Sequence, residues 1–150
     1  MNVNFGNVAE KYAEFRNDLP VELMDSLKHR GIHFKGKKVV DLGAGTGILS
    51  RALQQEGAIV VGVEPSKELI EEAIKNDQKE GATITYENAF SERTPLPDDT
   101  YDIVTVMRAW HWFDADKTLA EIKRILKDKG TLIVMDSGFI GRSKVVLDTL

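Results

Sequence analysis

Val39-Val40-Asp41-Leu42-Gly43-Ala44-Gly45-Thr46-Gly47-Ile48-Leu49 decides the fold. An apolar run closes on an acid, three alternating glycines follow, and Ile48, Leu49, Ala52 and Leu53 then form a helical stripe. A strand that feeds a helix through a glycine-rich turn is where α/β sheets seat nucleotide-like ligands, because the helix start offers free N–H groups.

Working downstream, Gly57 stops that first helix. Ala58 to Glu64 is a β-branched run of the kind found in strands covered on both faces. Ser66 is placed to cap a helix with Leu69, Ile70, Ala73 and Ile74 facing inward, and Gly81 closes it. Thr83–Tyr86 reads as a weaker third strand. Asn88 to Asp99, with Pro95 and Pro97, reads as a loop. Tyr101–Met107 is a fourth strand, and Asp114 caps a helix burying Leu119, Ile122, Ile125 and Leu126. Lys127, Lys129 and Gly130 suit the end of that helix. Thr131–Met135 is a fifth strand, and residues 142–150 read as the start of another helix.

Upstream, Val8, Tyr12 and Phe15 share one helical face, and Pro20 suits the first turn of a second helix carrying Val21, Met24 and Leu27. Gly31 or Gly36 ends that region. Strands alternating with helices at this spacing predict an α/β, doubly wound, mostly parallel sheet with helices on both faces. No repeat or linker interrupts the chain of 150 residues, which reads as one domain.

Composition narrows the function. The net charge is −4 and basic residues are scattered, which argues against a nucleic-acid partner. No apolar run approaches the ~20 residues of a membrane helix, and Met1–Gly6 lacks a signal-peptide profile, so a cytoplasmic location and no membrane partner are expected. Cysteine is absent, which removes thiolate zinc sites and cysteine nucleophiles, and three dispersed histidines suggest no metal site.

The glycine turn is not the dinucleotide pattern G-x-G-x-x-G, since Ile48 occupies the third glycine's place. Asp41 would repel a pyrophosphate seated on the turn but suits an amino group or a sulfonium. Glu64 ends the second strand about 20 residues on, where an acid accepts hydrogen bonds from ribose hydroxyls. The ligand read from these residues is a nucleoside with a cationic tail. S-adenosylmethionine fits it.

Asp41-Leu42-Gly43-Ala44-Gly45-Thr46-Gly47 resembles motif I of class I S-adenosylmethionine-dependent methyltransferases. Glu64-Pro65-Ser66 is similar to their ribose-binding acid and following helix start. Asn88-Ala89-Phe90 through Leu96-Pro97-Asp98-Asp99-Thr100-Tyr101-Asp102-Ile103-Val104 resembles the adenine loop and fourth strand of the small-molecule branch. Leu126-Lys127-Asp128-Lys129-Gly130-Thr131-Leu132 resembles the turn before strand five. The nearest likeness is to trans-aconitate and ubiquinone-biosynthesis methyltransferases.

The resemblance implies a Rossmann-like sheet of strand order 3-2-1-4-5. It divides the chain into N-terminal helices (1–34), a cofactor-binding core (37–136) and an incomplete tail (137–150), with the family's C-terminal hairpin strands absent. It implies cofactor contacts from Asp41, Gly43, Ala44, Gly45, Thr46, Glu64, Pro65, Ser66, Asn88, Ala89, Phe90, Arg108, Tyr12 and Arg16. His111 stands where a general base would, with Trp110, Trp112 and Phe113 as pocket walls. One departure is Asn88, where family members commonly carry Asp; its carbonyl can still accept from the adenine amino group.

Alternatives stand beside several of these roles. Tyr12 also reads as a core residue, Arg16 as a surface ion pair, Phe90 as packing under its loop, and His111 as a packing histidine. The expected reaction is an in-line methyl transfer to a small molecule, with S-adenosylhomocysteine as product and no metal. The Asn/Asp-Pro-Pro-Tyr/Phe signature of nucleic-acid amino methyltransferases is missing, since strand four ends in Met107-Arg108-Ala109-Trp110. A cofactor-binding module without turnover is the rival reading, and an NAD-dependent oxidoreductase a third. A sheet left open beside strand five would call for a homodimer to cover it.

Overall fold

The computed structural model describes residues 22–107, 114–137 and 143–149. In chain order the elements are α1 (Leu23–His29), β1 (Lys38–Leu42), α2 (Ile48–Gln55), β2 (Ile59–Val63), α3 (Lys67–Glu80), β3 (Thr85–Glu87), β4 (Tyr101–Met107), α4 (Ala115–Ile125), β5 (Leu126–Ser137) and β6 (Ser143–Thr149). They form one sheet in the order β3-β2-β1-β4-β5-β6. The first five strands are parallel in the expected order 3-2-1-4-5, and β6 runs antiparallel to β5.

Alternation along β1 divides the core into two layers. Val39 belongs to a cluster with Leu23, Leu27, Phe34, Leu49 and Leu53 on the α1–α2 side. Val40 and Leu42 belong to a second, with Val104, Val106, Ile122 and Ile125 on the α4 side. Both layers are made of buried apolar side chains, as the β-branched runs predict.

Local signals set the helix limits. Ser66 Oγ accepts from Leu69 N at 3.2 Å, Gly81 ends α3 in the left-handed conformation, and the Asp114 carboxylate accepts from Lys117 N. Ile74, expected to face inward, is 44% exposed at the far edge of the α3 stripe, where Leu69, Ile70 and Ala73 already fill the buried face.

Two readings at the C-terminal end of the sequence are corrected. The fourth helix stops at Ile125, and Leu126 is already extended, so Lys127–Gly130 enter β5 instead of extending the helix. Register against β4 slips between Tyr101–Leu126 and Ile103–Thr131, and Lys129 takes a positive φ in that irregularity. Residues 143–149 form a strand and not a helix start. The Val145-Val146 pair and Thr149 are β-branched, and a ready row of β5 hydrogen-bonding groups offers them a ladder from Ser137–Ser143 to Thr131–Thr149. The hairpin expected to be absent therefore has a counterpart in β5–β6. The open edge expected beside strand five lies instead at β6, the last strand of the sheet.

Candidate cofactor site

The glycine turn hangs from the end of β2. Gly43 N and Ala44 N both donate to Val63 O, at 2.8 and 3.0 Å, and Gly47 N closes the turn onto Ala44 O. Gly43, Gly45 and Gly47 all have positive φ, which side chains with a Cβ rarely adopt. Thr46, between the last two, is buried.

Asp41 lies beneath this turn and is 2% exposed. It shares a face of the sheet with Val39, and in register its neighbour on β4 is Thr105. Thr105 Oγ1 donates to Oδ1 at 3.1 Å, and Ser50 Oγ on α2 donates to Oδ2 at 2.7 Å. Both carboxylate oxygens are thus held by neutral hydroxyls. Burial, offset in part by these two hydroxyls and reinforced by Glu64, pushes the carboxyl up to about 7.

Glu64 follows β2 and is 4% exposed. Its Oε1 accepts from Gly45 N at 2.9 Å and its Oε2 from Ser66 N at 2.7 Å, so one carboxylate ties the glycine turn to the start of α3. Burial raises its pKa, and the two backbone donors oppose the rise. Pro65 sits half-buried between the two ties.

Asn88 extends the same rim. Its Nδ2 donates to Glu64 O at 3.1 Å and Pro65 O at 3.0 Å, which turns its carbonyl oxygen into the group available for a ligand donor. Ala89 packs on the α4-side core. Phe90 is 65% exposed, and its carbonyl accepts from Arg93 N, so it does not pack under its loop. Further along, Thr94 is pinned to α4: the Glu121 carboxylate accepts from Thr94 N at 2.7 Å and Thr94 Oγ1 at 2.6 Å, and from Arg124 Nε and Nη2. Arg124 also pairs with Asp98. The loop after β3 is therefore fixed at both ends.

The structure brings together Asp41, Gly43, Ala44, Gly45, Thr46, Glu64, Pro65, Ser66 and Asn88. Tyr12, Arg16, Arg108 and His111, with Trp110, Trp112 and Phe113, lie outside the described residues. Ser50 and Thr105 escaped the sequence reading. A serine one turn into α2 and a threonine within a strand carry no local signal that both point at one acid. Arg51, Asp77 and Tyr86 were missed for the same reason.

The donor set fits a cationic nucleoside better than a pyrophosphate. Among the described residues at the turn and rim, 41–47, 64–66 and 88–90, the charged side chains are Asp41 and Glu64, both acids. A pyrophosphate there would meet two carboxylates and no cation, whereas hydroxyl, amine and sulfonium groups would meet acceptors.

Residues 40–134 match the family model described as a methyltransferase domain. A methyltransferase of Dictyostelium discoideum is 33% identical over 141 residues, covering 91% of this chain and 49% of the relative. The ubiquinone biosynthesis O-methyltransferase of Haemophilus ducreyi is 34% identical over 126 residues, covering 77% of this chain and 53% of the relative. A crystal structure described as an S-adenosyl-L-methionine-dependent methyltransferase of Methanococcus maripaludis superposes with a TM-score of 0.80 at 23% identity, over 91% of this chain and 66% of that one. This last likeness bears on the fold alone. The chain spans about half the length of the curated relatives it matches.

Proposed function

The chain belongs to the class I S-adenosylmethionine-dependent methyltransferases, and we propose that it methylates a small-molecule acceptor by in-line displacement. The observation that carries this reading is the acidic rim made by Asp41, Glu64 and the Asn88 carbonyl around the glycine turn, which holds no cation among the described residues. S-adenosylmethionine, when bound, supplies an activated methyl group, so the protein's task is alignment and exclusion of water.

Each residue has a role in that proposal. Glu64 accepts from ribose hydroxyls with the lone pairs left over from Gly45 N and Ser66 N. Asn88 Oδ1 accepts from the adenine amino group, with Ala89 and Phe90 beside the ring. Asp41 balances the positive charge of the methionine end, and Ala44, Thr46 and Pro65 shape the cradle. Tyr12, Arg16 and Arg108 are assigned to the cofactor's tail and an anionic acceptor. His111 takes a proton from the acceptor, and the neighbouring aromatics wall the pocket. A cytoplasmic site of action goes with this assignment.

The test is transfer of isotope-labelled methyl from S-adenosylmethionine into a metabolite extract, with mass-spectrometric identification of the labelled product. Label in one small molecule supports the proposal. Label only in protein or nucleic acid overturns the acceptor class, and cofactor binding without transfer to any fraction overturns turnover and leaves a binding module.

A further inference from the structure

Beneath the glycine turn lies a buried ionic cluster that the cofactor contacts above do not use. Arg51, one turn into α2, is 6% exposed, and Asp77 on α3 is 5% exposed. Arg51 Nη1 donates to Asp77 Oδ1 at 2.9 Å and to Thr46 O at 2.9 Å, with Ala73 O more distant at 3.4 Å. Its Nε pairs with Glu80 Oε2 at 2.8 Å. The Tyr86 hydroxyl, from β3, donates to the same Asp77 Oδ1 at 3.1 Å.

Stability alone is a poor reason for this arrangement. A buried ion pair recovers little more than its own desolvation cost, and an apolar cluster of equal volume commonly does as well. A guanidinium adds direction, because its fixed fork donates along set lines. Here one line ends on the carbonyl of Thr46, inside the glycine turn.

The turn is consequently held from two sides. Above, the Gly45 N–H is fixed by Glu64. Below, the peptide joining Thr46 to Gly47 is fixed at both ends, its oxygen by Arg51 and its N–H by Ala44 O. Gly47 shows how closely the cluster presses upward: a Cβ there would fall 2.4 Å from Tyr86 Oη and 2.7 Å from Arg51 Nη1.

We infer that Arg51, oriented by Asp77 and Tyr86, is a positioning residue that sets the Thr46–Gly47 peptide of the cofactor turn. It acts through the backbone and touches no ligand. The inference rests on the reading of residues 41–47 as the cradle for the methionine end of the cofactor. Its effect is therefore selective, falling on the tail of the ligand and sparing the nucleoside, which Glu64 and Asn88 hold.

Two probes separate these ends: S-adenosylhomocysteine, with the full tail, and 5′-methylthioadenosine, which lacks the amino-acid group. Titration calorimetry on Arg51→Met is expected to show affinity for the first falling about tenfold and for the second changing less than about twofold. Arg51→Lys keeps the charge but loses the fork, and Tyr86→Phe frees one side of Asp77; both should lower the ratio of the two affinities by a smaller factor. If Arg51→Met does not fold, by circular dichroism and thermal melting, Arg51→Lys decides. Equal losses for both probes in the folded variants, or no loss for either, would overturn the inference. Failure of the unaltered protein to bind S-adenosylhomocysteine would instead remove the reading of the site on which it rests.

Discussion

Two buried acids, Asp41 and Glu121, meet opposite surroundings within one domain. Asp41 is held by two hydroxyls and, among the described residues, no cation, and burial pushes its carboxyl up to about 7. Glu121 accepts from Thr94 and from the Arg124 guanidinium, which holds its carboxyl down to about 2. The second is a closed structural knot that fastens the loop after β3 to α4. The first has no cationic partner among the described residues, and in the proposed site the cation of the ligand supplies one. Asp41 is the more deeply buried of the two, and their partners differ as well.

The largest effect on stability is expected at the closed knot. Glu121→Ala leaves two Thr94 donors without their acceptor, while Arg124 is partly exposed and keeps Asp98, a loss of roughly 1–3 kcal/mol. Urea denaturation measures it, and cofactor affinity should fall only through the loosened loop. The reverse pattern is expected at the rim. Glu64→Ala should lower S-adenosylhomocysteine affinity by about 1.5–3 kcal/mol, roughly ten- to a hundredfold, as charge-assisted hydrogen bonds to ribose are lost. Equal affinity in calorimetry would remove Glu64 from the site.

Acid and base limbs of a stability profile sharpen the contrast further. Asp41 is raised above its ordinary 3.8, so the native state holds a proton that the unfolded chain has lost. Its contribution is full below about 4 and disappears as pH rises through about 7. Glu121 is lowered from 4.5 to about 2, so its contribution is present above 4.5 and disappears as pH falls through about 2. Asp41→Asn should flatten the profile between pH 4 and 7 and leave the acid limb. Glu121→Gln should do the opposite.

The smallest effect is the most specific. A cationic tail beside Asp41 favours its ionised form, so binding near pH 6 should release a proton. Calorimetry in buffers of different ionisation enthalpy would read that release, and Asp41→Asn should abolish it.

The difference between the two acids also marks what a linear reading can reach. Strand and helix positions followed from apolar runs and capping residues, because Val39–Val40, Ser66 and Gly81 act locally, whereas strand order came with the family resemblance. The two acids proposed for the cofactor stood out in the sequence since both sit at strand ends at recognisable spacing from the glycines. Ser50 and Thr105, which hold Asp41, come from separate elements that meet only after the sheet forms. Arg51 and Asp77 pair across helices, and nothing in either helix marks the other. Residues 142–150 were read as a helix start because the partner strand of 143–149, β5, supplies the deciding hydrogen bonds from elsewhere in the chain.

The central claim is that the glycine turn and its acids form a site for a cationic nucleoside. Side-by-side titration of S-adenosylhomocysteine and NAD at pH 8, where Asp41 is ionised, tests it most directly. Saturable binding of S-adenosylhomocysteine, with NAD bound at least about a hundredfold more weakly, is the predicted result. Binding of NAD alone would contradict it.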